Sequence, residues 1–112
     1  MIYAPASRAA AALVLAIFFA GGMGPTPGRA QSNPEAGWQL ARKRCAGCHI
    51  IDLAGNGADV APAFPKTARE RRGDQRWLRS WLEMPHPSMP SQNLSRGEVD
   101  DIVTYLQSLV RP

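Results

Sequence analysis

The chain has 112 residues, 45% of them hydrophobic, with a formal net charge of +4. That length suits one small domain, and its two cysteines are too few for a disulfide framework. The basic residues carry no interleaved aromatic platform and no groove-reading motif, so nucleic acid is not an expected partner.

Residues 1–30 have the pattern of an export signal rather than of a folded element. Arg8 and the α-amino group precede an apolar run from Ala9 to Ala20, and a Gly/Pro stretch follows. Gly28 and Ala30 put small residues at the −3 and −1 positions of a cut after Ala30. The run is shorter than the roughly 20 residues a spanning helix needs. With no twin-arginine pair, Sec-type export to the periplasm is expected. Cleavage would leave residues 31–112 as a single domain; the alternative is an uncleaved anchor facing the periplasm. The cut also removes Arg8 and Arg29, and with them part of the positive charge.

Asn33-Pro34 opens the first predicted helix, because Asn caps well and Pro suits the first helical position. It runs through Trp38 and Leu40 to about Cys45. Next comes Cys45-Ala46-Gly47-Cys48-His49, a C-x-x-C-H run of the kind that attaches a c-type haem. Two thiols at this spacing can each bond one vinyl group of a porphyrin, and the following residue offers an imidazole to the iron. Both cysteines of the chain lie in this motif. Ile50 to Thr67 contains Gly55, Gly57, Pro62 and Pro65 and reads as a loop. A second helix is expected over Asp74–Glu83, where Trp77, Leu78, Trp81 and Leu82 recur at helical spacing until Pro85 stops it. Met84 to Asn93 is a proline-rich loop. Ser95-Arg96-Gly97-Glu98 is a capping box, and the helix after it sets Val99, Ile102, Val103, Leu106 and Leu109 on one face. No segment alternates as a strand would, so the class is all-α with about three main helices.

An iron bound by His49 needs a second axial group to close its coordination. Beyond the leader, the candidates are Met84, His86 and Met89. Met84 sits at a helix end, where methionine usually fills a core. His86 would make a bis-histidine site of lower potential than a Met/His one. Met89 is preferred: it stands mid-loop before Pro90 and after Pro85 and Pro87, whose stiffness lowers the entropy lost in holding a thioether at a metal.

These features together resemble the class I c-type cytochromes, in particular the small soluble bacterial ones. The likeness rests on Gly37 eight residues before Cys45, C-A-G-C-H at 45–49, A-P-A-F at 61–64, W-L-E-M-P-H-P-S-M-P at 81–90 and D-I-V-T-Y-L at 101–106. It implies a cytochrome c fold around one covalently attached haem c, with the first and last helices crossing. It further implies thioethers at Cys45 and Cys48, and His49 and Met89 as the iron ligands. Gly37 would let Tyr105 approach closely, and the Pro62 carbonyl would orient the His49 ring. An indole N–H from Trp77 or Trp81 would reach a propionate, with Trp81 favoured because it lies nearer the Met loop. One position departs from the pattern: many members carry an aromatic four residues before the first haem cysteine, where this chain has Ala41.

A haem with both axial positions filled by protein has no place for a substrate and can only change oxidation state. The expectation is therefore a periplasmic one-electron carrier, not an enzyme, moving electrons between a respiratory or dehydrogenase donor and a terminal oxidase or reductase. Its partners would be redox proteins; no small-molecule substrate is expected, and membrane contact would come through those partners. A loosely held Met89 would instead open the iron to nitric oxide or peroxide. A haem-free dithiol enzyme would need βαβ strands around the motif, and a zinc site would need more cysteines and histidines nearby. Arg42-Lys43-Arg44 and the arginines 69, 71, 72, 76 and 79 form either a solvated face or a docking surface for an acidic partner. A domain this small is marginal without a staple, so the haem-free chain is expected to be largely unfolded by circular dichroism.

Overall fold

The computed structural model describes residues 1–2, 22, 24–25, 31–84 and 86–111. The apolar run and cleavage site of the expected signal segment, and Pro85, lie outside the described residues. Within them the chain forms α1 (Pro34–Arg44), α2 (Phe64–Glu70), α3 (Gln75–Glu83) and α4 (Arg96–Ser108). Extended pairing among the described residues is limited to isolated bridges, His49 with Ala61, Ile50 with Gly57 and His86 with Met89.

Three of the helices begin at a side-chain cap. The Asn33 side chain accepts from the Glu35 amide at 2.9 Å, Pro34 supplies the first turn, and Arg42, Lys43 and Arg44 sit at the carboxyl end, where positive charge is favoured. Asp74 caps α3 by accepting from the Trp77 amide at 3.0 Å. At α4 the capping box closes both ways, Glu98 N–H to Ser95 Oγ at 3.2 Å and Ser95 N–H to Glu98 Oε2 at 2.8 Å.

The stretch read as one loop from Ile50 to Thr67 is a loop only as far as Ala63. Pro65 lies in the first turn of α2, where its missing N–H costs nothing, so the residue that looked like a breaker is a starter. Phe64, Pro65 and Ala68 turn inward and tie the short helix to the core.

α4 is the hub. Its most extensive contact is with α1, and it also meets α3 and α2. Val99, Ile102, Val103, Tyr105 and Leu106 of α4 are buried together with Ala41 of α1, Phe64 and Ala68 of α2, Leu78 of α3, and Ile51 and Cys45 from the segment between α1 and α2. Burying a large aliphatic side chain contributes about 1.5–3 kcal/mol, so this shared core is the main source of cohesion. Leu109, predicted on the same face, is half-buried at the end of α4.

Gly37 makes the crossing possible. A Cβ there would collide with the Asp101 backbone carbonyl and lie 2.7 Å from Tyr105 Cβ. The glycine thus admits the backbone of α4 as much as the tyrosine. The Tyr105 ring passes beyond the crossing, and its hydroxyl donates to Ile51 O at 2.8 Å. That bond joins the last helix to the segment following the C-x-x-C-H run. Burial, with the charge of Asp52 adding to it, pushes the Tyr105 phenol up to about 12. Ala41, at the position where an aromatic was absent, is completely buried, while Trp38 is half-buried on the flank of α1 under the Arg42 guanidinium, 4.7 Å from its ring.

Candidate haem site

The proximal segment is shaped by backbone hydrogen bonds. Cys48 N–H and His49 N–H both donate to Cys45 O, at 3.1 and 2.9 Å. Cys48 O accepts from Val60 N–H and Ala61 N–H at 3.0 and 2.9 Å, and Ala58 N–H donates to Ala46 O at 2.9 Å. The C-x-x-C-H turn is therefore clasped by the far arm of its own loop. Gly57 closes the clasp. It has φ +108, and a Cβ on it would collide with the His49 carbonyl oxygen. Only glycine meets both demands.

His49 lies within this frame, half-buried, with its ring tilted against Phe64 at 5.4 Å between centroids. Its Nδ1 is 2.7 Å from Pro62 O. A carbonyl only accepts, so Nδ1 carries the proton and Nε2 keeps its lone pair. Cys45 is buried and Cys48 exposed, and both are free thiols. Burial pushes the Cys45 thiol up to about 11, against the opposing charge of Arg44, so it stays uncharged at neutral pH. A neutral thioether suits that environment better than a metal-bound thiolate does.

The distal segment begins where α3 ends. Met84 caps α3 and is 59% exposed, so it is not the core filler that its position in the sequence suggested. Residues His86-Pro87-Ser88-Met89 form a turn closed by Met89 N–H to His86 O at 3.3 Å. Proline at its second position and φ +72 at Ser88 are the marks of a type II turn. The turn sets its first and last residues side by side, and His86 Nε2 is 3.1 Å from Met89 Sδ. The His86 ring stacks on Trp81 at 4.1 Å, Trp81 stacks on Trp77 at 5.0 Å, and the Arg71 guanidinium covers Trp77 at 3.8 Å. Of the apolar residues predicted for α3, only Leu78 is buried; Trp81 remains 43% exposed even with its ring in this stack.

Arg44 connects the two segments. Its guanidinium donates to Gln92 O at 2.9 Å and lies 3.6 Å from Glu98 Oε1. The Ser95 amide holds the Glu98 carboxyl below the usual range, with Arg44 assisting. Other basic residues are similarly engaged: Arg79 pairs with Asp100, and Arg72 donates to Val110 O at 3.1 Å. Much of the basic run thus braces the fold.

The donor set fits a haem rather than a bare ion. Among the described residues no three of His, Cys, Asp and Glu are grouped to hold a metal directly. A free imidazole nitrogen, two free thiols beside it and a thioether in a separate loop are the groups a covalently attached iron porphyrin uses. Sequence reasoning selected Cys45, Cys48, His49, Pro62, Trp81 and Met89. The structure joins Pro62 to His49 and Trp81 to Met89 through His86. It adds Gly57 and Arg44. Gly57 was legible only as a loop glycine, and nothing local in the sequence ties Arg44 to Gln92.

All four helices lie within residues 34–110, the span matched by the family model for cytochrome c, and the chain belongs to that family. Cytochrome c-552 of Bradyrhizobium diazoefficiens is 42% identical over 77 residues, spanning 65% of this chain and 71% of that protein. No solved structure matches. As a member of the family the chain carries a covalently attached haem c, and it is an electron-transfer protein that works with redox partners. Among the described residues no helix is long and apolar enough to cross a membrane.

Proposed function

We propose that this chain is a periplasmic one-electron carrier with His49 and Met89 as axial ligands and Cys45 and Cys48 as the points of covalent attachment. The observation that carries the reading is the His49 ring, held by its Nδ1–H on Pro62 O with Nε2 left free, directly beside two unpaired thiols. When bound, the haem supplies a ferric/ferrous couple at an iron closed to substrate. The chain's own residues do the rest. Pro62 O fixes the imidazole tautomer and strengthens it as a donor. The clasp from Gly57 to Ala61 keeps the attachment turn from shifting between oxidation states. Met89 offers a neutral thioether, which favours the reduced state relative to a second imidazole. Trp81 stacks under His86 beside the distal loop and is the preferred indole for a propionate contact.

Export through the N-terminal segment, cleaved after Ala30, would deliver residues 31–112 to the compartment where a donor and an oxidase or reductase are met. The arginines not spent on bracing would steer acidic partners. The test is a pyridine haemochrome spectrum together with the near-infrared charge-transfer band of ferric iron bound to methionine sulfur. A c-type haemochrome with that band is expected. Colourless mature protein with two titratable thiols would overturn the haem assignment, and a missing band would overturn Met89.

A further inference from the structure

The two histidines of this chain are held in the same way. His49 Nδ1 faces Pro62 O at 2.7 Å, and His86 Nδ1 faces Met84 O at 3.1 Å. In each case a backbone carbonyl takes the Nδ1 proton, so the neutral ring keeps a lone pair on Nε2. For His49 that is the arrangement of a metal ligand. His86 has it too, and its Nε2 faces Met89 Sδ at 3.1 Å. Thioether sulfur can only accept, so this contact is a hydrogen bond whenever Nε2 carries hydrogen, and either way nitrogen and sulfur stand side by side as the two donors of the turn. They converge because the type II turn puts positions 86 and 89 side by side, and because Trp81 fixes the plane of the imidazole.

We propose that His86 is a reserve distal ligand, taking the iron through Nε2 whenever the Met89 thioether is withdrawn. The proposal rests on Met89 being the resting ligand. The exchange keeps both donors within one four-residue turn and needs no refolding of the loop. The haem then passes from a Met/His to a bis-histidine site, with a lower reduction potential.

The test uses the haem-loaded protein and three variants: Met89→Ala, Met89→Leu, which keeps the side-chain bulk and removes only the sulfur, and Met89→Leu/His86→Gln. Ferric electron paramagnetic resonance, the near-infrared band and the reduction potential are read on each, with circular dichroism as the check on folding. The expected result is the Fe–S band in the wild type, and its loss in both single variants with the iron still low-spin and the potential lowered. The double variant should be high-spin. High-spin iron in a folded single variant would overturn the reserve role and leave Met89 standing. Low-spin iron persisting in the double variant would overturn it too, because another group would be the donor. If the wild type itself lacks the band and His86→Gln alone turns it high-spin, His86 is the resting ligand, and both the Met89 assignment and the reserve role fall.

Discussion

The two arms of the site are built by different means. The proximal arm, from Cys45 to Pro62, is held by backbone hydrogen bonds at close range and by a glycine that no other residue can replace. Among its described residues the distal arm, from Met84 to Asn93, has one backbone bond inside its turn and one tying Met84 to Ser80 of α3, and is further held by side chains: the Trp81 stack beneath His86 and the Arg44 guanidinium on Gln92 O. Backbone bonding resists sequence change and movement together, whereas side-chain bracing can be altered one residue at a time. The attachment side is thus a fixed frame. On the proposed ligation, the Met89 side is where ligand strength, and with it the potential, would be tuned.

The contrast yields predictions of decreasing size. Replacing Cys45 and Cys48 together by serine should abolish covalent haem entirely, read as loss of haem stain on a denaturing gel. Gly57→Ala should cost about 3 kcal/mol in denaturant melts, from left-handed backbone strain and the collision with His49 O. If that variant melts like wild type, the proximal arm is not the rigid one. Tyr105→Phe should cost about 1 kcal/mol by removing the bond to Ile51 O. Its pH dependence has a definite sign. The fold favours the neutral phenol, raised from 10.0 to about 12, so its contribution is whole below that lower value and drains away as pH climbs through the interval. Wild type and Tyr105→Phe should therefore converge in stability across that range; a constant gap would contradict the assignment. Arg44→Ala should have the smallest effect on stability, about 0.5–1 kcal/mol, because its partners are partly exposed. It should nevertheless lower the temperature at which the Fe–S band disappears, since the strap acts on the distal arm. An unchanged band would mean that Arg44 braces only Glu98.

Much of this was legible without coordinates. The C-x-x-C-H run, the capping box at Ser95 and the apolar face of the last helix each lie within a few residues of chain, where spacing alone determines chemistry or periodicity. The crossing at Gly37 was readable only through the resemblance to the class I c-type cytochromes, and the closest neighbour proved to be the Asp101 backbone. The start of α2 was missed because proline ends a helix or begins one, and only the burial of Phe64 and Ala68 decides between them.

What remained for the tertiary structure was every contact between distant parts of the chain. The sequence determined the all-α class, the attachment turn and the short set of residues able to reach an iron, because those depend on local covalent spacing and hydrogen bonding. The fold decided that Gly57 presses on His49, that Arg44 reaches Gln92, and that His86 lies against Met89 on a bed of indole. Those pairings follow from where α4 brings the loops together, and no periodicity within a single segment records that.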